Sequence, residues 1–257
     1  MGLVKSAAYS VHTTKSKIMK AIIRIITIVL ALLYWTSSSL AEDMSEIVSK
    51  HVAALGKHAN RLHSIQIEQK LLSNGVESIQ TTILVPKHFF YQQMILQGGQ
   101  VLTYVRDSLG WSLNSFVSSK VRMMSPQECA TFLLLNTQML GPIYEYGTDS
   151  INGPVQTITL EGDDKIEEEP CHRMKVVYKG GIGETDVYIS KKSYLIKMTV
   201  NVLGKTFFSN YRSVHGIVFP HRIEIINTYG KTVGDVVERS EERRVGKECR
   251  SRWSPYH

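Results

Sequence analysis

The chain has 257 residues, 43% of them hydrophobic and 21% charged, with a formal net charge of +7. The basic excess lies at the ends: residues 1–41 hold five Lys/Arg and no acid, residues 239–257 hold six Lys/Arg and three Glu, and residues 42–238 set 19 basic against 20 acidic side chains. That middle segment is long enough for one domain with a sizeable core, and its charge balance excludes a nucleic-acid footprint.

In chain order, residues 1–41 read as a secretory signal peptide. Lys20 and Arg24 precede an apolar run from Ile25 to Trp35, and Ser39-Leu40-Ala41 offers a small-residue cleavage site before Glu42. The run is short for a bilayer span, so an uncleaved anchor is the alternative. Glu42 stands where lipid attachment would need a Cys. Met19 is the more natural start, which makes residues 1–18 an upstream extension.

Glu42 to about Asn60 predicts a helix, with Ile47, Val48, Val52 and Leu55 at helical spacing and Gly56 marking a break. His51 and His58 are read as a solvated helix face rather than a metal site, because no third ligand accompanies them. From Ser64 the period becomes two, and Ser73-Asn74-Gly75 turns the chain into a strand over Val76–Val85. Pro86 then leads into Phe89–Leu96, Gly98-Gly99 predicts a tight hairpin turn into Val101–Val105, and 106–110 turns into Trp111–Phe116.

A polar loop follows. Ser125-Pro126-Gln127-Glu128 has the spacing of a capping box and launches an apolar helix over Cys129–Leu140, ending near Gly141-Pro142. Strands are then expected over Val155–Glu161, His172–Tyr178, Glu184–Ile189, Tyr194–Val202, Lys205–Tyr211, Ile217–Asn227 and Lys231–Glu238, with a solvated acidic loop at Asp163–Glu169. The regular turns suggest a large curved antiparallel sheet or barrel fragment, so the fold class is α+β, with the helices covering one face. Cys129 and Cys171 could pair after export or remain as two buried thiols. The last segment, 239–257, resembles a translated sequencing adapter; a disordered basic tail is the alternative.

No G-x-S-x-G, H-E-x-x-H or C-x-x-C motif and no phosphate-binding glycine loop occurs, so nothing local points to catalysis, a metal or a cofactor. An acyl-chain site would leave no such signature, because burying methylenes needs no polar anchor. The side chains expected to line one are Phe89, Tyr91, Leu102, Trp111, Phe116, Phe132, Leu135 and Met139.

Several motifs, in order and spacing, carry a resemblance. They are Pro86-Lys-His-Phe89, Trp111-x-x-Asn114-x-Phe116, the capped helix, Gly141-Pro142, Tyr188–Tyr194, and Asn210-Tyr211-Arg212-x-Val214-x-Gly216-x-x-Phe219-Pro220. Residues 42–238 thereby resemble the LolA/LolB-type superfamily, specifically exported outer membrane lipoprotein-sorting proteins. The resemblance implies an incomplete antiparallel β-barrel whose concave face is covered by helices, and a hydrophobic cavity for acyl chains of lipids or lipoproteins. It implies a periplasmic, non-enzymatic, monomeric protein without cofactor, working with inner- and outer-membrane sorting components. An envelope sensor or protein-interaction module on the same fold is the alternative. Two positions depart from the pattern: Val85 replaces the lid-closing Arg before the proline, and Ser115 replaces a Pro.

Overall fold

The computed structural model describes residues 42–228 and 230–240. The expected signal segment and the tail beyond Ser240 lie outside these residues. The chain divides after Asp43, and every element below belongs to the unit starting at Met44.

The helices are α1 (Met44–Ala54), α2 (Pro126–Asn136) and α3 (Pro142–Thr148). The strands are β1 (Ile65–Ser73), β2 (Val76–Val85), β3 (Phe89–Leu96), β4 (Gly99–Arg106), β5 (Leu109–Asn114) and β6 (Arg122–Met124), then β7 (Val155–Ile166), β8 (Glu169–Tyr178), β9 (Glu184–Ser190), β10 (Ile196–Asn201), β11 (Gly204–Val214), β12 (Ile217–Asn227) and β13 (Gly230–Ser240). They form one antiparallel sheet in the order β6-β5-β4-β3-β2-β1-β13-β12-β11-β10-β9-β8-β7. The protein is therefore α+β. Two meanders, β1–β6 and β7–β13, meet where β13 pairs with both β1 and β12.

Helices and sheet share two cores. One joins Leu55, Leu62, Ile65, Leu84, Phe90, Val105, Cys129, Leu133 and Phe219; the other joins Ile47 of α1 and Ile143 of α3 to strands β7–β10. In the first core Phe90, Val105 and Gly110 are register partners on the α2 face of the sheet, and Cys129 Sγ stands directly over Gly110. A Cβ at Gly110 would come within 2.7 Å of that sulfur, so the glycine sets how closely α2 approaches. Cys129 and Cys171 are free: Cys129 sits in the first core and Cys171 in a separate small cluster with Ile166, Tyr188 and Met198, which answers the open pairing question.

The capping box forms as expected: Glu128 N–H donates to Ser125 Oγ at 3.2 Å, and Ser125 N–H donates to Glu128 Oε2 at 2.7 Å. Other expectations change. The first helix stops at Ala54, and Gly56 then takes a φ of +97° where a Cβ would lie 2.2 Å from the Gly216 carbonyl oxygen. His51 is not on a solvated face. It is 1% exposed, and its Nδ1 lies 2.7 Å from the Tyr194 carbonyl oxygen. His58 lies beyond the helix, with Nδ1 3.0 Å from the His215 carbonyl oxygen.

The apolar segment after the capping box is broken: α2 ends at Asn136, and the Gly141-Pro142 pair opens α3 instead of closing a helix, since proline suits a first helical turn. Of the glycine pair in the β3–β4 hairpin, Gly98 has positive φ; Gly99 is a strand residue whose missing Cβ admits the Phe116 ring. The acidic loop is mostly ladder. Glu167 and Glu168 alone form the turn, both with positive φ, while Asp163 and Asp164 pair across to His172 and Cys171. β13 continues to Ser240, two residues into the segment read as a tail.

Candidate functional site

Strand alternation divides the expected acyl-site residues. Phe90, not Phe89, points toward α2: Phe90 and Phe132 pack edge to face with ring centroids 5.0 Å apart. Phe89, Tyr91, Leu102 and Trp111 project from the opposite face, as their register partners require. There Phe89 meets Tyr104 edge to face at 5.6 Å, and Tyr104 stacks on Trp111 at 5.7 Å. Phe132 and Met139 are half-buried against the first core. Phe116 and Leu135 are exposed. The structure thus brings Phe132 and Met139 to the helix side of the sheet and keeps the four strand residues away from them.

A cleft of about 180 Å³ opens on that helix side. Its lining comes from Ala59, Asn60 and Leu62 after α1, from Pro86 and Lys87 between β2 and β3, and from Met139, Leu140, Tyr144 and Glu145 around the start of α3. Motif reading found Met139 but missed the others, which come from three separate turns. Pro86 was the available signal.

Lys87 ties the cleft wall together. It takes a φ of +64°. Its N–H donates to Thr137 Oγ1 at 2.8 Å, and its ammonium reaches Asp149 Oδ2 and the Asn152 carbonyl, each at 3.2 Å. The β2–β3 turn is thereby bonded to the segments on both sides of α3. Burial pushes the Glu145 carboxyl above its ordinary range, an effect that Lys87 opposes and Asp149 reinforces. Burial likewise raises the Tyr144 phenol. The cleft therefore mixes apolar side chains (Leu62, Pro86, Met139, Leu140) with polar groups of both charge signs, and more of its surface is polar than apolar.

The apolar character stops one row down the sheet. Next to the row Leu84–Phe90–Val105–Gly110 comes the row Thr82–Gln92–Thr103–Ser112, polar across four strands. Gln80 Nε2 donates to Gln69 Oε1 and Thr82 Oγ1 at 3.3 Å, and Gln92 Nε2 donates to Thr82 Oγ1 at 3.4 Å. Among the described residues, no group of three or more His, Cys, Asp or Glu side chains is placed to hold a metal ion.

No protein-family model matches the chain, and no curated protein matches it by sequence. Solved structures resemble it at low identity. An outer membrane lipoprotein-sorting protein domain from Vibrio parahaemolyticus is 13% identical, with 79% of this chain and 94% of that one covered and a TM-score of 0.48. A LolA superfamily protein from Nitrosomonas europaea is 10% identical over 77% and 93% of the two chains, with a TM-score of 0.49. A DUF1329 family protein from Desulfovibrio piger is 12% identical over 79% and 93%, with a TM-score of 0.48. The chain is thus structurally similar to LolA superfamily and outer membrane lipoprotein-sorting domains.

Proposed function

We propose that this is an exported, periplasmic, non-enzymatic protein that binds an acyl chain of a lipid or lipoprotein between its sheet and its α2–α3 segment, in the service of outer-membrane lipoprotein sorting or transport. The observation that carries this reading is the cleft at Leu62, Pro86, Met139, Leu140 and Tyr144, four of which share one apolar core with Phe90 and Phe132. In this reading the sheet curves around the helices as an incomplete barrel, and the cleft is the mouth of a cavity that α2 covers. At about 180 Å³ the mouth is smaller than a typical ligand pocket of roughly 300–1,000 Å³. Lodging a whole chain therefore requires α2 to swing outward. Burial would supply about 0.8 kcal/mol per methylene, with no cofactor and no covalent step. The partners are the acylated cargo and the inner- and outer-membrane components that hand it on, and the protein acts as a monomer.

The test is mass spectrometry on an organic extract of the exported protein. Phospholipid or acylated peptide recovered at close to one per chain is expected. Phe132→Asp and Met139→Lys should each empty the protein while its circular dichroism stays unchanged. A folded wild-type protein that carries no acyl chain would sink the proposal and favour protein recognition instead.

A further inference from the structure

The face of the sheet away from α2 is divided. Over β8–β13 it carries cross-strand ion pairs, Arg173–Asp186 at 2.7 Å, Lys175–Glu184 at 3.2 Å, Arg222–Asp235 at 3.0 Å and Lys231–Glu224 at 2.6 Å, beside a small apolar cluster of Cys171, Tyr188 and Met198 that is itself buried. Over β2–β6 a row of register partners is apolar and aromatic across five strands: Ile83, Tyr91, Tyr104, Trp111 and Met123. On β2–β5 the charges of this face are Glu77 and Arg106, at its opposite ends.

The row runs out to the short edge strand β6, where the 115–121 loop continues the theme. Phe116 is 51% exposed, Val117 82%, Val121 49% and Met123 60%. Lys120 and Arg122 sit among them, and no acid occurs between Asn114 and Gln127. The loop holds its shape through its own bonds. Val117 N–H and Ser118 N–H donate to the Asn114 carbonyl at 3.0 and 2.9 Å, and Phe116 N–H donates to Asn114 Oδ1 at 3.1 Å. The nearby acids are engaged: Glu128 with Arg122, and Asp107 with His88 Nδ1 at 3.0 Å. Among the described residues no acid pairs with Arg106 or Lys120, which leaves both to face an external anion.

We propose that this edge (the 115–121 loop, β6 and the Trp111–Met123 end of the outer row) docks on the surface of an anionic phospholipid bilayer. Exposed aliphatic tips enter the boundary between headgroups and acyl chains. Trp and Tyr rings, each with an apolar body and a polar atom, suit the level just above it. Lys120 and Arg106 supply the charge complementarity to lipid phosphates. A second copy of the chain fits less well. The apolar strip measures about 200 Å², five strands about 4.8 Å apart and between one and two residue rows deep, whereas a stable dimer buries about 800 Å² per partner. The inference stands independently of acyl-chain binding in the cleft.

Hydrogen exchange read by mass spectrometry on the full chain tests it, because the loop is then followed separately from the N-terminal apolar run. The probes are vesicles of phosphatidylcholine alone and of phosphatidylcholine mixed with phosphatidylglycerol. The mixed vesicles should slow exchange over 115–123 at least about fivefold, the effect of one surface cation. The double variant Val117→Asp/Val121→Asp should lose this protection and keep the remaining exchange pattern. Lys120→Glu should weaken vesicle partitioning about thirtyfold, the effect of reversing one charge. Binding with unchanged exchange at 115–123 would overturn the proposal, as would equal protection by phosphatidylcholine alone. Protection that rises with protein concentration in the absence of vesicles would overturn it in favour of self-association.

Discussion

At the scale of single residues, His51 shows how burial decides chemistry. The Tyr194 carbonyl can only accept, so Nδ1 carries the proton, and the buried Nε2 has no hydrogen-bond partner among the described residues. Burial lowers the imidazole pKa, with the Tyr194 bond opposing. A depressed folded pKa means that the unfolded chain takes up a proton first. The stability contributed by neutral His51 is therefore full above about pH 6.5, the unfolded value, and is lost as pH falls from there through the folded pKa. Thermal unfolding of wild type and His51→Gln at pH 7 and pH 5 checks this. The wild type should lose more stability on acidification, by at most about 1.4 kcal/mol per pH unit, the value of one proton. Equal losses would refute it. Burial likewise raises the Cys171 thiol, and both Cys171 and Cys129 are 0% exposed. Peptide mapping after thiol labelling should find both unmodified in the native chain and modified in denaturant.

At the scale of elements, the cap and the break around α2 matter most. Ser125→Ala removes one half of the capping box and should cost about 1 kcal/mol, read as a lower midpoint in urea with unchanged m-value. If α2 is the cover of an acyl site, the same change should also speed exchange of the α2 amides. The end of α1 is set by backbone contact. Gly56→Ala places a methyl against the Gly216 carbonyl at a φ of +97°, so it should cost about 2 kcal/mol or more. Little or no loss of stability would contradict that close approach. The cap and the break at Gly56 were legible in the sequence because capping spacing and glycine breaks are encoded within four or five residues; the contact with Gly216, 160 residues away, was not. The opening of α3 was not, since Gly141-Pro142 fits the end of one helix as well as the start of the next.

At the scale of the whole molecule, β13 is the keystone. It pairs Ile67 with Arg239 and Gln66 with Ser240 on one side and Arg222 with Asp235 on the other, joining the two meanders. A chain ending at Thr228 exposes the inner edges of β1 and β12 together. It should lose cooperative unfolding and aggregate through those edges, which scanning calorimetry and light scattering would register; a single sharp transition in the truncated chain would argue against the role. The strand sequence was largely legible from period-two patterning and turn residues. Strand order and facing were not, because pairing between β1 and β13 spans the length of the domain.

The sequence by itself determined the class of this protein. Charge balance excluded nucleic acid, alternation and turns dictated an antiparallel sheet, and the capping box placed the start of α2. The tertiary structure alone decided which side of the sheet each aromatic serves. A shift of one residue in a strand reverses its face, and no local pattern says which face a distant helix will cover. Phe90 therefore meets Phe132 beneath α2, while Phe89, Tyr91 and Trp111 look outward.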